Sequence, residues 1–308
     1  MAKILVAIPA FNESPTLRGV IDQVKTLCLL READVLVVDD GSMDETAQVA
    51  IRAGAVVVSH QTNLGVGAAF STATSYAMNN AYDFMLTVDA DGQFPIESIS
   101  SVLDHGLATG RFTSGSRFLT KASRRSVPLV RRLGNMGLAW LVSYLAKQKF
   151  TDVSCGLRLY PRDSLNFVAL PGGFTYTQSS LLDMAFRKIE RQEVAIEVQY
   201  FRDRQSTVSG NLLSYATRAG MILWSAAKIY FPNRVFLPIS LVSSGIGAAL
   251  SLMFLMNFLV TSKFSGFLFA GFLGGFMITL GLLLLGVSLI LTSLTEIRLD
   301  LHIKVSRK

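Results

Sequence analysis

Leu86-Thr87-Val88-Asp89-Ala90-Asp91-Gly92-Gln93 is the stretch that decides the fold. An apolar run, Phe84 to Val88, stops at two carboxylates one residue apart, with a glycine behind them. The run has the composition of a strand buried in a parallel sheet. Ligands of such sheets bind at the carboxyl ends of the strands. Side chains alternate along extended backbone, so Asp89 and Asp91 are expected to point the same way. Two hard carboxylates on one side suit Mg²⁺ or Mn²⁺, which take oxygen ligands and leave positions open for a substrate diphosphate. An Asp-x-Asp pair standing alone is usually a strand end entering a polar turn. Its weight here comes from the other strand ends.

Upstream, Ile4 to Ile8 reads as a first buried strand and Pro9-Ala10-Phe11-Asn12-Glu13 as the loop at its carboxyl end. Ser14 is expected to cap a helix with Pro15 at its first position, running to about Leu29. Val35 to Val38 is a second strand, ending in Asp39-Asp40-Gly41-Ser42-Met43-Asp44. Met43 to Ala53 reads as a helix stopped by Gly54. Ala55 to Ser59 is a third strand, and Asn63-Leu64-Gly65-Val66-Gly67 opens a helix that runs to Asn79. Strands alternating with helices imply right-handed crossovers and a mostly parallel, Rossmann-like α/β sheet. Asn12/Glu13, Asp39/Asp40, the Asn63 loop and Asp89/Asp91 then share one edge. Asp39 or Asp40 could accept the donors of a nucleotide's base or ribose. Ser42 and Asp44 read as turn and cap residues. The glycines at 65 and 67 are not followed by the lysine of a phosphate-binding P-loop, which speaks against an ATPase.

The chain has 308 residues and a net charge of +7, with a mean hydropathy of +0.42. That hydropathy is local. Val235 to Val260 and Phe264 to Thr295 contain no charged residue, and each exceeds the roughly 20 apolar residues that cross a bilayer. The preceding part, roughly 200 residues, suits one large α/β domain. Two cysteines, Cys28 and Cys155, make no disulfide framework and fit a reducing compartment. No signal peptide is expected before the first strand.

Taken in order, Pro9-Ala10-Phe11-Asn12-Glu13, Val38-Asp39-Asp40-Gly41-Ser42, Asn63-x-Gly65-x-Gly67 and Asp89-Ala90-Asp91-Gly92-Gln93 resemble family 2 glycosyltransferases of the GT-A fold. Within that family the whole chain is similar to the polyprenyl-phosphate glycosyltransferases, the dolichyl-phosphate mannose synthase and bactoprenol glucosyltransferase group. The resemblance implies nucleotide-sugar binding by Pro9, Ala10, Asn12, Glu13, Asp39, Asp40, Asn63, Gly67, Asp89, Ala90, Asp91 and Gln93. It also implies a divalent metal on Asp89, Asp91 and Gln93. Phe112-Thr113-Ser114-Gly115-Ser116-Arg117 looks like the family's Gly-Ser-Arg strand end. Thr151 to Arg158 looks like its Asp-x-x-Cys-Gly-Phe-Arg segment, where Asp152 and Arg158 are either functional or a structural pair.

The run Lys121 to Arg132 is basic and precedes a helix expected over Gly134 to Ala146. It is expected at a membrane surface, receiving an anionic lipid phosphate through arginine's planar donor fork. Arg117, Arg131, Asn135, Arg202 and Arg204 are the expected phosphate ligands, and Asp89, Asp91, Arg117 and Arg131 the expected catalytic set. Two departures from the family pattern stand out. Gln178 occupies the position of a common glutamate, and Ser206-Thr207-Val208-Ser209-Gly210 lacks the family's lysine. A phosphate acceptor is already a nucleophile, which makes Gln178 tolerable, since no general base is needed.

Asn211 to Phe231 reads as one or two interfacial helices. Two spans follow, joined near Thr261-Ser262-Lys263, and positive charge before the first and after the second places both termini in the cytoplasm. A bacterial inner membrane is favoured. The expected division is a catalytic domain over 1–210, juxtamembrane helices over 211–233, two spans over 234–297 and a cytoplasmic tail over 298–308. Gly271, Gly274, Gly275 and Gly281 would let helices approach closely, within the hairpin or between subunits of a homo-oligomer. The expected partners are a nucleotide-sugar donor, with a UDP-sugar favoured over GDP-mannose, an undecaprenyl or dolichyl phosphate, and membrane lipids. No nucleic acid is expected. Two other readings compete. One is transfer to a hydroxyl acceptor, although no Gln-x-x-Arg-Trp segment of processive synthases is found. The other is a non-catalytic scaffold, which the intact Asp89/Asp91 pair opposes.

Overall fold

The structure, a computed structural model, describes residues 2–29, 31–165, 176–200 and 212–306, the side chains at 126, 130, 131, 212–219, 222 and 298–306 aside. The elements are β1 (Ile4–Ala10), α1 (Ser14–Cys28), β2 (Ala33–Asp39), α2 (Thr46–Arg52), β3 (Val56–Ser59), α3 (Val66–Asn79), β4 (Phe84–Thr87), α4 (Ile96–Thr109), β5 (Phe112–Ser116), α5 (Lys121–Ser126), α6 (Leu129–Ala146), β6 (Arg158–Pro161), α7 (Thr177–Phe186), β7 (Arg191–Ala195), α8 (Leu212–Tyr230), α9 (Pro232–Thr261) and α10 (Leu268–Ser306). They form two compact units, Met1–Trp224 and Ser225–Lys308.

In the first unit the strands form one seven-stranded sheet in the order β3-β2-β1-β4-β6-β5-β7. Strands β1 to β4 are parallel, as their helical crossovers require. Only β6 runs antiparallel to both of its neighbours, β4 and β5. The near-continuous apolar composition of β1, β2 and β4 follows from burial on both faces: Leu5, Ala7, Leu36, Val38 and Met85 are as enclosed as Val6, Ile8, Val37 and Leu86. Leu17, Val20, Ile21 and Val24 of α1 close one side at helical spacing. All parallel strands therefore end at one edge, where the loops after β1, β2 and β4 meet.

Local signals at that edge differ from expectation in one instructive way. Ser14 does not cap α1; Glu13 stands at the cap, and its side chain accepts no bond from the helix's first backbone N–H groups. The caps are exchanged across the loops instead. Asp44 accepts from Ser14 N through Oδ2 (3.2 Å) and from Thr46 N through Oδ1 (3.0 Å), and Thr46 Oγ1 accepts from Glu13 N at 2.8 Å. One carboxylate thus serves the first turns of two helices, and α2 begins at Thr46 rather than Met43.

The second unit contains α9 and α10, two helices long and apolar enough to cross a membrane. They pack through small residues. A Cβ on Gly247 would meet Gly274 O at 2.7 Å, and one on Gly281 would meet Ser240 O at 2.9 Å. Ser240 Oγ donates to Gly281 O at 2.7 Å and Ser243 Oγ to Met277 O at 2.8 Å. Gly271 faces Phe254, so Gly271, Gly274 and Gly281 act within the hairpin, while Gly275 has open space. Helix α10 runs to Ser306 without a break, so the stretch expected as a tail is helical to that point.

Candidate active site

The two loops that precede the metal-type carboxylates are stapled together. Asn12, held at φ +54, donates its backbone N–H to Ser42 Oγ and accepts from Met43 N through Oδ1, both at 2.9 Å. Asp40 N donates to Ala10 O at 2.8 Å. Gly41 must be glycine, because its φ is +74 and a Cβ would strike the backbone of Thr62 and Asn63.

Asp39 and Asp40, paired in sequence, do different work. Both are buried. Asp40 Oδ1 accepts from His60 Nδ1 at 2.7 Å and from Leu64 N at 3.0 Å, and Oδ2 accepts from Gly65 N at 2.7 Å. Its carboxylate, expected at the nucleotide, therefore holds the 63–67 loop in place. Asp39 accepts one bond, from Ser42 N at 3.1 Å on Oδ1. Asn63 is exposed at the tip of the loop that Asp40 anchors, and Gly67 lies in the first turn of α3. Pro9 and Ala10 sit in β1 opposite Val38 and Asp39.

Beyond the end of β4, Asp89 is half-buried and Ala90 is buried. The Asp89 carboxylate lies against the backbone of Gly156: a Cβ there would fall 2.8 Å from Oδ2 and 2.9 Å from Cγ. Thr87 Oγ1 donates to Gly156 O at 2.6 Å and fixes that approach. Asp91 turns the chain, accepting Gln93 N at 3.0 Å on Oδ1, with Gly92 at φ +71. Thr16 Oγ1 of α1, 2.9 Å from Ala90 O, ties the turn to the first helix. Loss of solvent, then the Asp91 charge, push Asp89 up to about 7, although Arg117 and Arg158 pull it down. The Asp91 charge thus adds to the cost of burying Asp89, and the two arginines offset it only in part.

Arg117, expected at the acceptor phosphate, is clasped by Asp152. Nε donates to Oδ2 at 2.7 Å and Nη2 to Oδ1 at 2.8 Å, with a further bond from Nη2 to Ser154 Oγ at 2.8 Å. Burial alone would raise Asp152, but the Arg117 charge and the bonds from Arg117 and Ser154 outweigh it and hold the carboxyl below the usual range. Asp152 therefore pairs with Arg117, not Arg158. Arg158 is buried and donates to Thr177 O, Ser180 Oγ and Val153 O.

Asn135, expected at the acceptor phosphate, is engaged within the protein. It is buried, donates to Thr151 O at 2.9 Å, and accepts from Val153 N and Ser154 Oγ, both at 3.2 Å. An amide so engaged braces the 151–154 loop. Gln178 is likewise buried, at the start of α7, and its Oε1 accepts from Thr177 Oγ1 at 3.0 Å. The Arg131 side chain, Arg202, Arg204 and the segment 206–210 lie outside the described residues.

Two positioning residues were not expected. Glu193 of β7 accepts from Thr151 N at 3.0 Å and Thr151 Oγ1 at 2.9 Å, and so props the loop carrying Asp152. His60 bridges Asp40 and Thr72 Oγ1. Neither carries a sequence signal, because both act through residues far away in the chain. Gly156 did carry one, in the Cys-Gly pair of the Thr151 to Arg158 segment.

Residues 5–168 match the family model described as glycosyl transferase family 2. An uncharacterized protein of Methanocaldococcus jannaschii is 34% identical over 51% of this chain and 64% of its own length, slightly under two thirds. The polyprenol monophosphomannose synthase of Mycolicibacterium smegmatis is 28% identical over 67% of this chain and 80% of its own. The first unit's fold is shared with glucosyl-3-phosphoglycerate synthase of Mycobacterium tuberculosis, solved with Mn²⁺, UDP and glucosyl-3-phosphoglycerate. The TM-score is 0.56 at 23% identity, covering 73% of this chain and 80% of that one. The family match over residues 5–168, more than half of the chain, makes it a glycosyltransferase belonging to family 2.

Proposed function

We propose that this glycosyltransferase moves a sugar from a nucleotide sugar to a polyprenyl phosphate, undecaprenyl or dolichyl, with inversion at the anomeric carbon. A UDP-sugar is the favoured donor and GDP-mannose the second. The observation that carries the reading is the Asp89 carboxylate beyond the end of β4, seated against the Gly156 backbone, with Asp91 in the turn that follows; loss of solvent, then the Asp91 charge, push Asp89 up to about 7. Such a donor set fits a hard divalent cation. Among the described residues no group of three or more His, Cys, Asp or Glu gathers. Asp89 and Asp91, with Gln93 from the same turn, would therefore hold Mg²⁺ or Mn²⁺ together with substrate oxygens. When bound, the ion neutralises the departing nucleoside diphosphate.

The chain's own residues supply the rest. Asp39 accepts from the ribose or base, and Asp40 keeps the 63–67 loop closed beside it. Arg117, fixed by Asp152, is a stationary cation for the incoming phosphate, with Arg131, Arg202 and Arg204 as further ligands. The phosphate oxygen attacks the anomeric carbon as the bond to the nucleoside diphosphate breaks. No proton moves, because a phosphate monoester is already ionised at neutral pH. A buried Gln178 in place of an acid is compatible with that chemistry.

The polyprenol acceptor named for the M. smegmatis relative and the Mn²⁺ and UDP named for the M. tuberculosis structure support this reading. So do the two long apolar helices, which we assign as spans over 234–297. Residues 1–210 would be the catalytic domain, 211–233 juxtamembrane helices and 298–308 a tail, with both termini cytoplasmic and the membrane a bacterial inner membrane. The test is the full chain in detergent with polyprenyl phosphate, Mn²⁺ or Mg²⁺ and a panel of nucleotide sugars. Product on the phosphate is expected. Product only on hydroxyl acceptors would replace this acceptor, and no product with any donor would remove the reading.

A further inference from the structure

The buried cation Arg158 stands without a counter-charge of its own. It is fully enclosed in β6, and the groups it bonds, Thr177 O, Ser180 Oγ and Val153 O, are all neutral. Among the described residues no carboxylate lies within ion-pair distance of it. Asp89 feels its charge, but less than the charges of Asp91 and Arg117. A buried charge left uncompensated is strongly destabilising. The groups around Arg158 are short of partners too. Strand register sets Thr87, Arg158 and Ser114 in one row across β4, β6 and β5, so their side chains share a face. Tyr160, two residues along β6, lies on that face as well. Tyr176, at the start of α7, approaches the row: its phenol is close to Thr87 and feels Tyr160, Asp89 and Arg158. Phe70 stacks on Tyr176 at 4.1 Å and meets Tyr160 at 5.3 Å, and Phe112 meets Tyr160 at 5.1 Å, which closes the group under aromatic rings. Inside this enclosure Ser114 Oγ, Arg158 Nε, Tyr160 Oη and Tyr176 Oη are buried and make no hydrogen bond. Arg158 and Ser180 come near the Tyr160 hydroxyl, and Thr87 near that of Tyr176, without reaching hydrogen-bond geometry. Native interiors leave few such groups, and several in one place call for a ligand. Every one of these atoms can donate. Nε–H has no other role, and burial pushes both phenols above their usual range, so they keep their protons.

We propose that Ser114, Arg158, Tyr160 and Tyr176 form an internal site for one small monovalent anion of the halide class. A halide accepts from all of these donors at once and supplies the charge that Arg158 lacks. Water is a poorer occupant, because it meets the donors and leaves the cation uncompensated. Sulfate and phosphate are larger and more strongly hydrated, and the lining residues are at most 3% exposed, so neither has an open route in. The site lies one residue pair behind the candidate metal carboxylate: Arg158 faces Thr87, and Gly156, against which Asp89 is seated, is two residues along the same strand. A bound anion would therefore tie β4, β5 and β6 to the start of α7 just below that carboxylate. The inference does not depend on the donor or the acceptor assigned above.

Chloride and bromide are the probes, used on the full chain in detergent. Crystals grown with bromide should show an anomalous-scattering peak in contact with Arg158 Nε and the Tyr160 and Tyr176 hydroxyls. In thermal unfolding at constant ionic strength, chloride or bromide should raise Tm over gluconate or sulfate, and the rise should saturate. At ten times the Kd it should reach about 3–6 °C. Ser114→Ala and Tyr176→Phe each remove one donor and should move the saturation to at least about tenfold higher chloride, as for hydrogen bonds to a charged group. Arg158→Gln should abolish the halide-specific rise; the two donor variants carry the test where that protein does not fold. Water at Arg158 in the bromide crystals, or bromide on the surface only, would overturn the proposal. So would equal Tm in chloride and gluconate, or a chloride effect that both donor variants leave unchanged.

Discussion

Gly156→Ala is the sharpest perturbation of the site, because the new methyl group has one neighbour to displace. All three of the atoms nearest to its Cβ belong to the Asp89 carboxylate. Oδ2 would lie at 2.8 Å and Oδ1 closer, whereas ordinary contact begins at 3.4 Å, so the carboxylate must retreat by at least 0.6 Å. Productive metal and substrate geometry tolerates about 0.5 Å, and a displacement of 1 Å costs about 100-fold in rate. The expected loss in kcat is therefore some tens to about 100-fold, up to about 2.7 kcal/mol. Overpacking of this kind costs about 1–3 kcal/mol of stability, or roughly 2–4 °C in Tm for each kcal/mol. The protein should stay folded, because a side chain and not backbone has to move. Gly134→Ala adds the same methyl group where nothing lies within 4 Å, and should stabilise α6 by about 0.5–1 kcal/mol. The assay is initial-rate sugar transfer with Mn²⁺ titration, alongside thermal unfolding of both variants. Unchanged kcat and Mn²⁺ affinity in Gly156→Ala would refute the seating of Asp89 as the feature that aims it.

Asp91→Ala is expected to abolish metal-dependent transfer and, by removing the repelling charge, to lower the pH at which Asp89 gives up its proton, read by titration of the metal-free protein; substantial Mn²⁺-dependent turnover in this variant would count against the site. In the metal-free protein, Asp89 binds a proton between its ordinary value near 4 and its raised value near 7, so the folded state holds more protons there than the unfolded one. Stability should therefore fall as pH rises from about 4 to about 7, and Mn²⁺ affinity should weaken by about tenfold per unit below 7, read by calorimetry. Arg117→Ala leaves the fully buried Asp152 carboxylate without its cation and should cost about 3–5 kcal/mol in denaturant unfolding. A loss under 1 kcal/mol would mean that the clasp does not form. Asp40→Asn puts one amide nitrogen against donors at Leu64 and Gly65. KM for the nucleotide sugar should rise several-fold, at about 1–3 kcal/mol for the orphaned bond, with kcat changed less.

Much of this protein is local information. The apolar runs ending in Asn12/Glu13, Asp39/Asp40 and Asp89/Asp91 define parallel strands and the edge at which they end, because strand burial and crossover handedness depend on pattern and chain length alone. The two charge-free stretches near the C-terminus are legible for the same reason. What each polar residue does at that edge was not legible, since a carboxylate's role depends on which donors the fold brings to it. Asp39 and Asp40 are adjacent and chemically identical, yet tertiary contacts commit Asp40 to His60, Leu64 and Gly65. Asp152 pairs with Arg117 and not Arg158, a choice made by strand order: β6 inserts antiparallel between β4 and β5 and buries Arg158. Asn135, a plausible phosphate ligand by sequence, is turned inward by the packing of α6. Periodicity and composition are properties of neighbours along the chain, whereas hydrogen-bond partnership, desolvation and charge compensation belong to neighbours in space, and only the folded chain determines those.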